Sequence, residues 1–291
     1  MRVLFLVNAN AGGKAVRSAA QSALNRFTSV GWKVDYVISD SLEYSEELIR
    51  GAEGNGFELL VIGGGDGTIH HAVQHLPLGS SQEAKGIPLG IIPLGSGNDF
   101  FRGTGAPLDP EGAAENIIHG SPLPVDVGLV EPLHEDGSPR KERALRFINT
   151  AGIGIDSYTL ATRERSPGWL SARYEVLFLA TLIWMRPIEV TLVAESWQTS
   201  QRAYWVLCCN NGFIGTGMKI APSARIDDGL IDVVVVDDVP KWRFVKNLPK
   251  VFKGTHIHEK GLSIRSARSV TVRSDPVIRF AIDGDLSLIH I

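Results

Sequence analysis

The chain has 291 residues, 44% of them hydrophobic and 21% charged, which is the composition of a globular protein long enough for two domains. Its formal net charge of −3 provides no overall basic field, so we do not expect nucleic acid as a partner. Cys208 and Cys209 are adjacent inside an apolar run. They cannot link distant segments, and they fit a reducing cytoplasm.

No segment of the sequence predicts a transmembrane helix. The apolar start of the chain, residues 1–7, is too short for the core of a signal peptide and is typical of a first strand. The longest apolar helical segment, residues 170–185, contains Arg173 and Glu175. It is also shorter than the roughly 20 residues that a bilayer requires.

The first 120 residues alternate short apolar runs with helical segments. Strands are predicted at VLFLV, VDYVI and ELLVI, and helices over residues 14–30, 45–52 and 68–76. In the first helix Val16, Ala20, Ala23 and Phe27 recur at intervals of three to four residues and so share one face. This alternation predicts βαβ units around a parallel sheet, in an α/β domain over residues 1–122.

The pattern of the remaining residues, 123–291, is rich in strands. Apolar runs separated by Gly, Pro, Asp and Ser predict strands at VDVGLV, RFINTAGI, IEVTLVA, AYWVLCCN, LIDVVVV, SVTVRS and VIRFAI. Only two helices, over residues 170–185 and 242–252, are expected to interrupt them, and a further helix over residues 110–119 precedes them. The second half is therefore predicted to be a mostly antiparallel β-sandwich.

The glycine-dense segment GGGDGT, residues 63–68, follows an apolar strand and precedes a helix. Glycines let main-chain N–H groups approach an anion, and the helix N-terminus adds a partial positive charge. A tight turn with positive φ angles would explain one or two glycines, but not four around an acidic residue. The segment therefore predicts a phosphate site made by Gly64, Gly65, Asp66, Gly67 and Thr68. It matches neither a Walker A motif nor a dinucleotide fingerprint.

Two other segments follow strands of the same predicted sheet. Residues 8–14, NANAGGK, offer Asn8, Asn10, Gly12, Gly13 and Lys14, although an Asn/Gly turn with a solvated lysine is the alternative. Residues 93–102, PLGSGNDFFR, offer a cluster of Ser96, Asn98 and Asp99 with two glycines. Because parallel sheets bind ligands at the carboxyl ends of their strands, we predict that both segments join the phosphate site.

Three aspartates near these segments, Asp66, Asp99 and Asp126, are candidate ligands of Mg²⁺. This ion favours one or two carboxylates together with phosphate oxygens. Each aspartate alone would be explained as the cap of a turn. As a set they favour metal-assisted phosphoryl transfer.

These motifs, in this order, resemble the diacylglycerol kinase catalytic-domain family, which includes bacterial lipid kinases, sphingosine kinases and ceramide kinases. The family motifs N-P-x-x-G, G-G-D-G-T and P-x-G-T-x-N-D-F-A-R are matched by NANAGG, GGGDGT and PLGSGNDFFR. Ala9, Ser96 and Phe101 stand where the family usually has proline, threonine and alanine. NAD kinases and phosphofructokinase-like folds carry related G-G-D-G turns, but the NDF motif and the strand-rich second half fit the lipid kinases better.

The resemblance implies that residues 8–13, residues 64–68 and Ser96 bind ATP, and that Asp66, Asp99 and Asp126 belong to an active-site Mg²⁺ network. The γ-phosphoryl group would go to the hydroxyl of a lipid, with diacylglycerol giving phosphatidic acid as the first candidate. Two alternatives remain open. One is a kinase of a soluble acceptor such as NAD, and the other is a non-catalytic nucleotide- or lipid-binding module of the same fold.

Two acidic segments in the second half also resemble family motifs. The sequence IDGD, residues 282–285, resembles D-G-E and makes Asp283 the general base, because an alcohol attacks well only as its proton is removed. An ordinary Asp-Gly turn is the alternative. The loop PSARIDDGLIDV resembles a structural Mg²⁺ loop with Asp227, Asp228 and the Leu230 carbonyl as ligands, or else a hairpin turn. Arg225 is a cation where an acidic ligand would help.

The resemblance further implies a cytoplasmic protein, with a lipid substrate at the membrane surface and a peripheral position at the inner face. The helix over residues 170–185 would offer apolar side chains to the bilayer or pack into the core. The oligomeric state stays open, with a homodimer as one option. The chain stops six residues after Asp285, so we expect a truncated or artefactual C-terminus that leaves Asp283 near a frayed end.

Overall fold

A computed structural model describes residues 1–9, 13–77, 86–134, 136–168 and 174–290 of the protein. Over residues 13–15, 174–175 and 287–290 it describes the backbone alone. The chain divides into two compact units, Met1–Pro124 and Val125–Ile291.

The first unit contains a parallel sheet of four strands in the order β2-β1-β3-β4. These strands are β1 (Arg2–Asn8), β2 (Lys33–Ser39), β3 (Leu59–Gly64) and β4 (Leu89–Pro93). All six residues of β3 are buried, as its continuous apolar run predicts for a central parallel strand. The chain leaves β1 toward one edge and then returns to β3 on the other side. The strand order therefore reverses between β1 and β3, the place where open parallel sheets bind ligands.

Five helices accompany this sheet among the described residues. They are α1 (Gly13–Ser29), α2 (Leu42–Gly51), α3 (Asp66–His75), α4 (Asp99–Thr104) and α5 (Pro110–His119). In α1 the predicted face is correct, because Ala20, Ala23 and Phe27 are fully buried. The short helix α4 was not predicted, and the other four begin and end within three residues of the predicted bounds.

The second unit is built on an eight-stranded, antiparallel sheet with two short hairpins. Its strands are β5 (Gly128–Val130), β6 (Leu145–Phe147), β7 (Thr150–Gly154), β8 (Ile188–Ala194), β9 (Gln198–Cys209), β10 (Phe213–Ile214), β11 (Met218–Lys219), β12 (Ile231–Asp237), β13 (Leu262–Ala267), β14 (Val270–Asp275), β15 (Arg279–Ile282) and β16 (Asp285–His290). The long strand β9 pairs with β8 along its first half, with β7 along its second half and with β12 on its other edge. The predicted antiparallel, sandwich-like second half is confirmed.

The central strands of this sheet bury both faces. Alternate residues of β12 enter two different cores, since Val233 and Val235 join one apolar cluster and Val234 and Val236 the other. The second cluster also contains side chains from α6 (Ile155–Arg165), α7 (Tyr174–Trp184) and α8 (Lys241–Lys253). Burial on both sides explains why these strands have continuous apolar sequences without alternation.

The helix α6 corrects the prediction that only two helices interrupt the strands. Its sequence mixes Ser, Thr and charged residues, which obscures a helical apolar period. Two threonine hydroxyls donate to carbonyls one turn earlier, Thr159 Oγ1 to Ile155 O at 2.6 Å and Thr162 Oγ1 to Tyr158 O at 2.8 Å. Polar residues can therefore lie on the packed side of this helix. Within the described ranges, no helix has the length and apolarity of a membrane span.

Asp156 is a buried carboxyl group in the first turn of α6. One of its oxygens accepts a hydrogen bond from the Ser157 backbone N–H at 2.7 Å. Burial raises the pKa of Asp156 from its ordinary value of 3.8 to about 6. The charged form of this group therefore costs stability in the folded protein.

We expect Asp156→Asn to change the pH dependence of folding. A raised folded-state pKa means that the contribution of Asp156 is present below the unfolded pKa of 3.8 and is lost as the pH rises through about 6. The variant lacks this titration. The difference between its free energy of unfolding and that of the wild type should therefore shift in favour of the variant by about 3 kcal/mol from pH 4 to pH 7. Urea denaturation across this range measures the difference, and a constant difference would contradict the assignment.

Candidate functional site

The loops after β1 and β3 contact each other at the point where the strand order reverses. Asn8 ends β1, and its Nδ2 donates to Oγ1 of Thr68 in the first turn of α3, at 3.1 Å. The structure thus brings together two of the residues predicted to bind nucleotide. Asn10 and Gly12 lie outside the described residues, and Gly13 and Lys14 are described only as backbone at the start of α1.

Close packing accounts for three of the four glycines in residues 63–67. None of them adopts a positive φ angle, so a strained turn is not the reason for their presence. A Cβ on Gly63 would lie 2.9 Å from Val7, one on Gly64 would lie 2.5 Å from Thr68, and one on Gly65 would lie 2.9 Å from the Gly95 Cα. A Cβ on Gly67 would meet nothing within 4 Å. Packing therefore requires glycine at positions 63, 64 and 65, but not at position 67.

Asp66 joins the loop after β3 to the helix after β4. Its Oδ2 accepts the Asp99 N–H at 3.0 Å, and its Oδ1 accepts the Phe100 N–H at 2.9 Å. The first N–H groups of a helix have no partner within the helix, so this carboxylate caps α4. Asp99 is itself buried, with Oδ1 4.0 Å from Arg102 Nε. Two of the predicted Mg²⁺ ligands, Asp66 and Asp99, are thus in direct contact through the Asp99 N–H group.

Asn98, which the sequence places in a polar cluster with Ser96 and Asp99, fixes the turn after β4. It adopts φ 52°, a left-handed conformation that Asn tolerates better than most residues. Its side chain accepts the Gly95 N–H at 3.1 Å and donates to the Gly95 carbonyl at 2.9 Å. Ser96 lies inside this closed turn and is exposed to solvent.

Asp283 lies in the tight turn between β15 and β16. It has φ 46° and Gly284 has φ 90°, the signs that a two-residue Asp-Gly hairpin requires. The side chain is buried, and its oxygens accept N–H groups from Ile148 at 2.9 Å, Asn149 at 2.8 Å and Thr150 at 3.0 Å. The turn proposed as the alternative is present, and the carboxylate also holds the segment between β6 and β7. Its role as a base stays a prediction.

The residues after Asp283 pair with β15 as strand β16. In the register of this hairpin, Ile282 faces Asp285 and Ala281 faces Leu286. This pairing closes the turn that positions the Asp283 carboxylate.

A network of asparagines connects the Asp283 segment to Asp126. Asn210 Nδ2 donates to the carbonyls of Ile148 and Asp126, both at 2.9 Å, and Asn211 Nδ2 donates to Asn149 Oδ1 at 2.8 Å. Asn149, Asn210 and Asn211 were not predicted from the sequence as site residues. The available signal was the presence of amide side chains directly after buried apolar strands, where each needs partners.

Asp126 belongs to the second unit, whereas Asp66 and Asp99 belong to the first. Its Oδ2 accepts the Gly229 N–H at 2.7 Å, which ties it to the loop of the second predicted metal site. In that loop Arg225 Nε donates to Asp227 Oδ1 at 3.1 Å, and Asp228 Oδ1 accepts the Leu230 N–H at 3.0 Å.

The residues predicted to bind metal do not form a ready-made cluster. Among the described residues, no group of three His, Cys, Asp or Glu side chains is arranged to hold a metal ion. At the loop after β11, the guanidinium of Arg225 already occupies Asp227, so this part of the structure does not fit a cation well. The metal roles of the residues in both sets stay predictions, namely those of Asp66, Asp99, Asp126, Asp227, Asp228 and Leu230.

A cavity of about 690 Å³ lies within the second unit. Its lining includes apolar side chains of the first core cluster, Phe147, Ile153, Val206, Val272 and Phe280. Polar groups are also present in the lining, namely Asp126, Glu131, Asn210, Arg268, Ser269 and Thr271. The hydrogen-bonded set around Asp126 thus forms part of the wall of a cavity that has both apolar and polar lining residues.

Two family models match almost the whole chain in succession. Residues 2–130 match the diacylglycerol kinase catalytic domain, and residues 149–287 match the YegS C-terminal NAD kinase beta sandwich-like domain. The chain belongs to the diacylglycerol kinase catalytic-domain family. It is therefore a phosphotransferase of a kinase family that uses ATP, and the recognition from sequence motifs is confirmed.

Several curated relatives in this family are similar over most of their length. A diacylglycerol kinase of Mycobacterium tuberculosis is 29% identical over 290 residues, which cover 98% of this chain and 89% of that protein. A diacylglycerol kinase of Bacillus subtilis is 24% identical over 288 residues, with the same coverage. A Pseudomonas putida protein named "Probable lipid kinase YegS-like" is 26% identical and covers 77% of this chain and 71% of its own.

A crystal structure of a diacylglycerol kinase from Bacillus anthracis has the same fold. It superposes with a TM-score of 0.70 at 22% identity, covering 99% of this chain and 90% of that one. This likeness establishes the order of an α/β unit followed by an antiparallel β unit.

Two alanine substitutions should distinguish glycines that the fold requires from a glycine that the phosphate site requires. A Cβ on Gly95 would lie 2.4 Å from the Gly65 Cα, so Gly95→Ala should cost about 1–3 kcal/mol of stability. Gly67→Ala has free space in α3 and should keep or raise stability by up to about 1 kcal/mol. Because its methyl group would occupy space next to the helix N-terminus, the KM for ATP should rise roughly tenfold.

Thermal melting and kinetics at varied ATP measure both effects. An unchanged KM for ATP in a folded Gly67→Ala variant would show that phosphates do not approach this turn.

Proposed function

We propose that the protein is an ATP-dependent lipid kinase that transfers the γ-phosphoryl group to a lipid hydroxyl. Diacylglycerol, which would give phosphatidic acid, is the first candidate acceptor. The observation that carries this proposal is the cavity of about 690 Å³ in the second unit. Its volume falls within the usual range of small-molecule sites, which is about 300–1,000 Å³.

The lining of this cavity favours acyl chains over a soluble acceptor. Leu129, Val130, Val270 and Val272 present apolar surface, and burying a methylene group gains about 0.8 kcal/mol. A nucleotide acceptor such as NAD would instead need many polar partners along its length. The polar set at Asp126 and Asn210 suits a headgroup with few hydroxyls.

The first unit would bind ATP at the carboxyl ends of its strands. The N-terminus of α3 supplies partial positive charge, and the open space at Gly67 lets a phosphate approach the backbone. The side chains of Asn8 and Thr68 are hydrogen-bonded to each other here, and Ser96 is exposed in the loop that follows β4. Lys14 at the start of α1 would add a point charge.

The acidic residues of the first unit suit a magnesium ion that is shared with phosphates. Asp66 and Asp99 offer carboxylate oxygens at adjoining positions, and Mg²⁺ prefers one or two carboxylates with phosphate oxygens completing its shell. When bound, the ion would neutralise charge that develops on the phosphoryl oxygens. Asp66 would meanwhile keep α4 in place through the Asp99 and Phe100 amides.

In the proposed reaction the acceptor hydroxyl oxygen attacks the γ-phosphorus of ATP. A bond forms between these two atoms, the bond to the β–γ bridging oxygen breaks, and ADP leaves. The proton of the hydroxyl passes to the carboxylate of Asp283. The three N–H groups of residues 148–150 hold this carboxylate in one orientation, so it needs little rearrangement to accept the proton.

Transfer of labelled γ-phosphate from ATP with Mg²⁺ tests the proposal against its alternatives. The acceptors are diacylglycerol, monoacylglycerol, a sphingoid base, ceramide and NAD, presented in mixed micelles. We expect labelled phosphatidic acid from the wild type and a loss of at least about 100-fold in kcat for Asp283→Asn, the usual size of a general-base contribution. Melting curves accompany the kinetics, because the variant's amide group faces the Ile148 N–H and should cost about 1–3 kcal/mol.

The outcomes separate the candidates. Label on NAD alone would select the kinase of a soluble acceptor, and ATP binding without transfer to any acceptor would favour a non-catalytic module. Full activity in a folded Asp283→Asn variant would overturn the assignment of the base while leaving the acceptor identified.

A further inference from the structure

The helix α8 (Lys241–Lys253) concentrates positive charge on a chain whose net charge is negative. Its 13 residues, KWRFVKNLPKVFK, include five cations and no acidic residue, whereas the whole chain has a formal net charge of −3. Neither the sequence motifs nor the proposed reaction gives these residues a role.

This helix is apolar on two sides. The inner side packs Phe244 and Val251 against the second core cluster of the unit. The outer side exposes Trp242, Val245 and Phe252, which follow one another at helical intervals of three and seven residues. Trp242 is 59% exposed, so a large aromatic surface faces solvent. An apolar stripe that the core does not need is a mark of an interaction surface.

Cations flank the exposed stripe. Lys246 and Lys253 are exposed at four and eleven residues from Trp242, on the same side of the helix. The Lys246 Nζ lies 5.8 Å and the Arg243 Cζ 5.6 Å from the centre of the Trp242 ring. An aromatic ring between basic side chains is the composition of helices that lie in the headgroup region of a bilayer.

The start of α8 lies beside the end of α7, which also exposes apolar side chains. Lys241 Nζ donates to the Ile183 carbonyl at 2.6 Å, which places the start of α8 beside the end of α7. There Ile183 is 77% exposed, and Trp184, Leu179 and Val176 are exposed on the same side. Apolar and aromatic side chains are therefore exposed on both helices near the place where their ends meet, with cations along α8.

We propose that this surface, formed by α8 and the exposed side of α7, docks the protein on a bilayer that contains anionic phospholipids. The charge of α8 matches anionic headgroups, and the exposed Trp242, Phe252, Ile183 and Trp184 suit insertion at the boundary with the acyl chains. The inference rests on the proposed function only in that a lipid acceptor resides in a bilayer. The charge and exposure of α8 support it independently.

Sedimentation of the full chain with vesicles tests the docking directly and needs no turnover. We expect binding to vesicles of phosphatidylcholine mixed with phosphatidylglycerol, weak binding to phosphatidylcholine alone, and release by salt. The double variant Lys246→Gln, Lys253→Gln should bind the mixed vesicles roughly 25-fold more weakly, at about fivefold for each cation. The matched control is Lys33→Gln, Lys141→Gln, which removes two exposed lysines elsewhere and should bind like the wild type.

A second variant, Trp242→Ala, tests the apolar contribution. It should weaken vesicle binding about tenfold or more while leaving the melting temperature and the phosphorylation of a soluble short-chain diacylglycerol unchanged. Equal binding by the wild type, the lysine pair variant and Trp242→Ala would overturn the docking proposal. So would a loss of self-association in Trp242→Ala without any change in vesicle binding, because the surface would then join two copies of the chain.

The two proposals fail separately. Vesicle binding that depends on α8, without phosphorylation of any lipid, would refute the lipid kinase and leave the docking surface standing. Phosphorylation of diacylglycerol with vesicle binding insensitive to α8 would do the reverse.

Discussion

A carboxylate that leaves bulk water has to find hydrogen-bond donors, and the aspartates of this protein's motifs find them in backbone N–H groups. Asp66 holds two amides at the start of α4, Asp126 holds the Gly229 amide, and Asp283 holds three successive amides after β6. Each therefore fixes a loop in addition to any chemistry it performs. A loop that is held in this way keeps its neighbouring polar groups in defined positions, whereas loops are usually more mobile.

This arrangement connects distant parts of the second unit. Asp283 ties the β15–β16 turn to residues 148–150, and Asn210 ties the same residues to Asp126. Phe147 and Ala151, which flank that segment, line the cavity. A substitution at Asp283 consequently disturbs the cavity wall as well as a candidate base, and kinetics of such a variant are informative only beside a measurement of its stability.

Sequence patterns that extend over a few neighbouring residues predicted most of the strands and helices. The apolar period of α1 and the alternation of strands and helices gave the α/β unit, and the long apolar runs gave the strands of the second unit. The helix α6 was missed because its buried Asp, Ser and Thr residues obscure the apolar period that predicts a helix. The need for glycine at position 65 could not be predicted from the sequence either, because the residue that Gly65 packs against, Gly95, lies in another loop. The partners of Asp283 are more than 130 residues away along the chain.

The basic helix α8 illustrates a different limit. Its cations and aromatics are visible in the sequence, but a stripe of Trp, Val and Phe is as typical of a core face as of a surface. The structure distinguishes the two sides, because Phe244 and Val251 pack against the core whereas Trp242, Val245 and Phe252 are exposed.

Photocrosslinking tests whether the acyl chains of the acceptor occupy the cavity of the second unit. A diacylglycerol analogue with a photoreactive group on an acyl chain would be bound to the full protein, irradiated, and the labelled peptides identified by mass spectrometry. We expect label in the lining segments 128–131 and 268–272, reduced by competing unlabelled diacylglycerol. Label confined to other segments, or label that diacylglycerol does not displace, would contradict it.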